Sequence, residues 1–126
     1  MNPFTPDQLS YLTGERRLGR LATVGQDGLP HVAPVGWSYN AELGTMDIGG
    51  LDFARTKKFR DVARTGRAAL VIDDVLPPWQ PRGVEIRGQA EAVQQPEALV
   101  RIHPTRVVSW GLGSAGACQA SDVAER

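Results

Sequence analysis

The chain has 126 residues, 41% hydrophobic and 22% charged, with fourteen basic side chains balanced by fourteen acidic ones. That length carries one core burying roughly two thirds of the unfolded surface, so the chain needs neither metal nor disulfide for stability. Zero net charge argues against a dedicated nucleic-acid or anionic-membrane binder, and the lone Cys118 excludes an internal disulfide or a multi-cysteine metal site.

No apolar run approaches the ~20 residues of a membrane span, and the opening MNPFTPDQLS lacks the charged-then-apolar order of a signal peptide, so a cytoplasmic protein is expected. Residues 6–13 (PDQLSYLT) read as a short helix with Leu9 and Leu12 at helical spacing. GRLATV follows, then Gln26-Asp27-Gly28 and a long extended run over residues 30–39. Asp-Gly between two such runs signals a hairpin, because glycine takes the positive φ that the turn requires. Residues 40–44 supply a second turn leading into TMDIG. A helix is predicted over residues 52–65, with Phe59, Val62 and Ala63 as its apolar stripe. Residues 67–73 (RAALVID) read as a buried strand, and residues 83–93 alternate, with Val84, Ile86, Ala90 and Ala92 on one face. A last strand runs through residues 105–110, closing a single domain over residues 1–112. Residues 113–126 read as a frayed tail in which Cys118 is incidental. About six strands in a chain rich in turn residues favour a small antiparallel barrel over a layered α/β fold.

The residues Arg55-Thr56-Lys57-Lys58 break a local rule. A helix N-terminus carries about half a positive charge and disfavours cations in its first turn. A bound anion would compensate, since free N–H groups and basic side chains converge on a phosphate; a solvated charged face with Asp61 as partner is the other reading. In the run 30–39, alternation places Ala33, Val35, Trp37 and Tyr39 on one side and the small Val32, Pro34, Gly36 and Ser38 on the other. Such a row admits a flat molecule close to the backbone, or packs under a bulky neighbour. Gly49-Gly50 is either a phosphate-adjacent turn or a flexible one. Trp79, in Leu76-Pro77-Pro78-Trp79-Gln80-Pro81, sits on a stiff extended loop where it covers a planar ligand, meets a partner subunit, or tucks onto its own domain. His31 and His103 show no metal-ligand pattern, and no nucleophile elbow, P-loop or dinucleotide fingerprint is present. Without an acid–base or nucleophilic set, chemistry would come from a cofactor.

Arg20-Leu21-Ala22-Thr23-Val24, the turn at Asp27-Gly28 and Pro30-His31-Val32-Ala33-Pro34-Val35 together resemble the opening hairpin of the pyridoxamine 5′-phosphate oxidase-like split-barrel flavoproteins. Arg55-Thr56-Lys57-Lys58-Phe59-Arg60-Asp61-Val62 is similar to that family's helix entrance. The stretch from Pro81 to Gly88, with Ile102-His103-Pro104 and Val107-Val108-Ser109-Trp110-Gly111, resembles the branch using the deazaflavin coenzyme F-420. The resemblance covers residues 8–112. It implies a mainly β, six-stranded antiparallel split barrel, homodimeric, with two cofactor sites at the subunit interface. It implies a ring near Pro34, Val35, Gly36, Ile48 and Gly49, a phosphate held by Arg55, Thr56, Lys57 and Lys58, and Trp79 reaching ring or tail from the other subunit. The activity it implies is hydride transfer from reduced F-420 to a small planar or conjugated acceptor. An FMN-dependent oxidase or reductase, a non-catalytic cofactor carrier, and a barrel binding a partner through the Pro-Pro-Trp loop are the alternatives.

Overall fold

The computed structural model describes residues 2–113 and 118–123. Helix α1 (Pro6–Thr13) starts where three local devices coincide: Pro6 at the first helical position, Thr5 accepting from the Gln8 N–H (3.2 Å), and the Gln8 side chain accepting from the Thr5 N–H (2.9 Å). Strand β1 (Gly19–Val24) turns through Gly28, at φ 81°, into β2 (Pro30–Val35), so the Asp-Gly hairpin forms as read. Strands β3 (Ser38–Asn40) and β4 (Thr45–Gly49) form the next hairpin. After a 3-10 turn (Phe53–Arg55) come α2 (Lys57–Thr65), β5 (Arg67–Leu76), β6 (Gln80–Val93), β7 (Leu99–Trp110) and β8 (Gln119–Asp122).

All neighbouring strands are antiparallel, in the order β2-β1-β5-β6-β7-β4-β3, with β8 added against β7. The two ends of that order, β2 and β3, are separated in the chain by Gly36 and Trp37 alone. A single bent segment therefore pairs with β1 through its first half and with β4 through its second, curling the sheet around one core. Inward residues of every long strand fill that core, among them Leu21, Ile48, Leu70, Ile72, Ile86, Val100 and Ile102, with Phe53, Phe59 and Val62 closing one end. At the β6–β7 register shift a Cβ on Gly88 would lie 2.0 Å from the His103 carbonyl oxygen, so only glycine fits there. No helix among the described residues is long and apolar enough to cross a membrane.

Several elements differ from the sequence expectation, first the strand number: seven strands, not six, run along the curled sheet, with β8 paired to β7. The run 30–39 is two strands, because the chain must leave one strand partner and join another at Gly36–Trp37. Its alternation survives the bend: Val35 is buried and Trp37 and Tyr39 half-buried, while Val32, Pro34, Gly36 and Ser38 are exposed. The helix expected over 52–65 divides at Thr56, whose extended backbone (φ −76°, ψ 152°) ends the 3-10 turn and caps α2. Ala63 is exposed, and its expected place on the inner face falls to Asp61, which is buried. The last long strand begins at Leu99 rather than residue 105. The Pro-Pro-Trp segment is not an extended loop but the tight tip between β5 and β6. Within the stretch read as a tail, Gln119–Asp122 pairs with Arg106–Ser109; residues 114–117 and 124–126 lie outside the described residues.

Candidate functional site

The cation corner is assembled by the Thr56 break. Thr56 Oγ1 accepts from the Phe59 N–H (3.3 Å) and donates to the Phe53 carbonyl (2.7 Å), joining the 3-10 turn to α2. Arg55 thus ends one helical element while Lys57 and Lys58 open the next. The three cations are not equivalent. Lys57 Nζ donates to both carboxylate oxygens of Asp61, at 3.0 and 3.2 Å, although its side chain remains 47% exposed. Lys58 Nζ lies 5.6 Å from the centre of the Phe53 ring. Among the described residues the Arg55 guanidinium has neither ion pair nor hydrogen bond, and its carbonyl accepts from Arg60 Nη1 (3.2 Å). The charged face with Asp61 as partner is therefore real for Lys57, while Arg55 has no side-chain acceptor among the described residues.

Asp61 is the buried anchor of this corner. Its carboxylate accepts from Thr23 Oγ1 on β1 (3.0 Å) and from Arg64 Nη1 (3.4 Å) as well as from Lys57, and Arg64 also donates to the Val24 carbonyl. Burial alone pushes the Asp61 carboxyl up, but the hydrogen bonds from Lys57 and Thr23 and the lysine charge outweigh it, holding the group ionised below the usual carboxylate range.

Beside the corner lies a groove of about 530 Å³ bordered by Ser38, Gly49, Gly50, Phe53, Arg55 and Leu99. It is within the size range of small-molecule sites. Of the residues named from the sequence, Ile48, Gly49 and Arg55 line it; Pro34, Val35, Gly36, Thr56, Lys57, Lys58 and Trp79 do not. Val35 and Ile48 turn their side chains into the core, so a ligand can meet them only through backbone. A Cβ on Gly36 would touch nothing within 4 Å, so the small-residue row is open rather than packed under a neighbour. Trp79 is 76% exposed at the β5–β6 tip, which removes the reading that it tucks onto its own domain.

Sequence reasoning missed two polar clusters. On the groove wall Asp47 receives a bidentate pair from Arg101 (both 3.1 Å), with Thr45 Oγ1 (2.9 Å) and Asn40 Nδ2 (3.1 Å) completing its partners. Burial raises the Asp47 carboxyl, and these hydrogen bonds overcome it and lower it. Only Thr45, two residues away, could have signalled this from sequence. The second cluster joins α1 to the β5–β6 hairpin. Asp74 accepts from Arg82 Nε (2.8 Å) and Nη2 (3.0 Å) and from Tyr11 Oη (2.7 Å), with Arg17 Nε at 3.4 Å. No local pattern spans Tyr11 to Arg82. His103 pairs with Glu91 (2.8 Å), and no group of metal-ligating side chains occurs among the described residues.

A curled antiparallel sheet, a basic helix entrance and a groove between them are the features to compare with known proteins. The family model for pyridoxamine 5′-phosphate oxidase matches residues 5–112. The chain belongs to the pyridoxamine 5′-phosphate oxidase family. The match runs from the cap of α1 to just beyond β7, covering the groove and the cation corner. A protein of Streptomyces rimosus named as a 5a,11a-dehydrotetracycline/5a,11a-dehydrooxytetracycline reductase is 42% identical over 121 residues, 87% of this chain and 84% of the relative. A conserved hypothetical protein of Mycobacterium tuberculosis shares the fold with a TM-score of 0.71 at 22% identity, over 85% of this chain and 84% of that one. An F420 reductase superposes with a TM-score of 0.61 at 18% identity, over 82% of this chain and 98% of its own.

Proposed function

We propose that this protein is an oxidoreductase that binds the deazaflavin coenzyme F-420 and directs hydride transfer to a planar conjugated acceptor. The dehydrotetracyclines of the Streptomyces rimosus reductase are the first acceptors to try. The observation that carries the reading is the groove lined by Ile48, Gly49 and Arg55, an arginine whose guanidinium has no partner among the described residues. The residues present fit such a coenzyme: Arg55 supplies a bidentate donor without a partner among the described residues, and Lys57 and Lys58 add charge in the opening turn of α2, where the helix dipole favours an anion.

In this reading Arg55, Thr56, Lys57 and Lys58 hold the coenzyme phosphate, Thr56 by shaping the corner rather than by a free hydroxyl. The ring lies against the backbone of Pro34, Val35, Gly36, Ile48 and Gly49. Trp79 covers it from a second copy of the chain, a homodimer consistent with the exposure of Leu29 (59%), Val32 (68%) and Trp79 (76%). The bound coenzyme supplies the hydride. The chain's own residues anchor the phosphate, orient the ring and exclude water from one of its faces, leaving the other for the acceptor. No side chain in the groove is assigned as a proton donor.

Parallel titrations of the purified protein with F-420 and FMN, followed by an acceptor screen with the reduced coenzyme that binds, test the proposal. Saturable F-420 binding with acceptor reduction is the expected result. Binding of FMN alone places the protein among the flavin-dependent oxidases or reductases, binding without turnover makes it a carrier, and binding of neither overturns the reading.

A further inference from the structure

We propose that Asp61, itself held by Thr23, is a positioning residue that sets Lys57 in place before an anion arrives. The inference rests on the reading of the cation corner as a phosphate site, and it assigns the buried carboxylate a function in that site.

Asp61 is 2% exposed, and a carboxylate taken out of water carries a desolvation penalty that an apolar side chain would avoid. Helix α2 has other attachments, because Phe59 and Val62 enter the core and Arg64 reaches the Val24 carbonyl. What the carboxylate adds, and an apolar side chain could not, is a hold on the Lys57 ammonium. Both of its oxygens receive Lys57 Nζ, while Thr23 Oγ1 and Arg64 Nη1 fix the carboxylate from the sheet side and the helix side.

The direction of this pair matters. The acid side chain is 3% exposed and the lysine 47%, so the ammonium stands between the carboxylate and solvent. An incoming anion meets the positive end first. A lysine ammonium has three donors, so one remains beyond the two spent on Asp61. A free lysine loses a large rotamer entropy when a ligand fixes it, and ordering it in advance removes that cost from binding. The carboxylate's repulsion of the anion acts from behind the ammonium, at a longer distance than the ammonium's attraction, so the nearer positive charge dominates. Preorganisation therefore outweighs repulsion, and losing Asp61 or its Thr23 support weakens binding.

The test is calorimetric titration with F-420, or with FMN should only FMN bind, on single and paired variants. Lys57→Ala is expected to weaken binding about tenfold, and Asp61→Asn and Thr23→Val each about three- to tenfold, the range of one hydrogen bond. Thr23→Ser, which keeps the hydroxyl, restores near-native affinity. In a Lys57→Ala background neither Asp61→Asn nor Thr23→Val weakens binding further, which a merely structural role would not produce. Unchanged or tighter binding in Asp61→Asn and Thr23→Val, or losses that add in full to that of Lys57→Ala, overturns the positioning role. Should Asp61→Asn fail to fold, the Thr23 pair decides alone. If Arg55→Ala and Lys57→Ala both bind normally, the phosphate reading itself falls and the positioning role with it; if Lys57→Ala weakens binding while Thr23→Val is silent, only the positioning role falls.

Discussion

Two aspartates in this molecule have almost the same partners and opposite orientations. Asp74 and Asp61 each collect one hydroxyl and two cations: Tyr11, Arg82 and Arg17 in the first case, Thr23, Lys57 and Arg64 in the second. At Asp74 the cations are the covered members, with Arg17 9% and Arg82 23% exposed against 29% for the acid. At Asp61 the acid is 3% exposed while Lys57 and Arg64 show 47% and 39%. The Asp74 cluster also closes on itself, because Arg17 stacks 3.8 Å from the centre of the Tyr11 ring and Arg82 lies 5.2 Å from it. The lesson is that the inventory of an ion-pair network does not reveal its role. A network that hides its cations locks elements together, whereas one that hides its anion presents charge to solvent.

The largest effect expected from this contrast is on stability. Asp74→Asn leaves two covered arginines short of a counter-charge and removes a cross-strand pair at the base of the β5–β6 tip. It should cost about 2–3 kcal/mol in urea unfolding, within the range for hydrogen bonds to charged groups, without a selective loss of coenzyme affinity. A matching pH signature follows. The hydrogen bonds from Arg82 hold the Asp74 carboxyl far below its ordinary range, so the unfolded chain takes up that proton first as the solution is acidified. Stability should be fully present above about pH 4 and fall below it, with a shallower acid limb in Asp74→Asn, measured by thermal melts across pH 2–6.

At the other aspartate the effects move to binding. Arg55→Ala removes an exposed, unpartnered guanidinium; coenzyme affinity should fall about tenfold or more while unfolding shifts by less than about 0.5 kcal/mol. A stability loss from Arg55→Ala as large as that from Asp74→Asn would erase the distinction between the two networks. Lys58→Ala should have a smaller effect, about 0.5–1 kcal/mol divided between the lost contact with Phe53 and the lost charge, read by titration beside melting. Smallest for folding is Gly36→Ala, whose added methyl meets open space. The melt should stay within about 0.5 kcal/mol of wild type, while a several-fold loss of coenzyme affinity would place the ring against that strand.

Much of the fold was legible from local rules. The helix over residues 6–13 is legible from Leu9 and Leu12 and the hairpin from a Gly28 that accepts positive φ, and both form there, the helix with a Thr5–Gln8 capping box that this spacing does not reveal. The alternation of residues 83–93 likewise reports one buried face, since Val84, Ile86 and Ala90 are buried. The break at Thr56 was readable in principle, because threonine three residues before Phe59 is a good helix cap, yet the polar run on both sides masked it. The candidate site was legible as a list and not as an arrangement. The corner Arg55–Lys58 stood out by its charge, but which of its cations remains free depends on Asp61, whose burial depends in turn on Thr23 in a strand 38 residues away.

By itself the sequence determined helix α1, the Gly28 hairpin, the alternating strand over residues 83–93 and the presence of a basic helix entrance, since periodicity and positive-φ glycines act over a few residues. Only the tertiary structure decided that residues 30–40 bend to serve both edges of one sheet, that Asp74 binds Tyr11 and two arginines into a lock, and that Asp61 takes Lys57 while Arg55 has no partner among the described residues. Those outcomes are choices among charged side chains of similar chemistry. Such choices are settled by which groups the curled sheet brings within about 3 Å of one another and which it buries, information that no window along the chain contains.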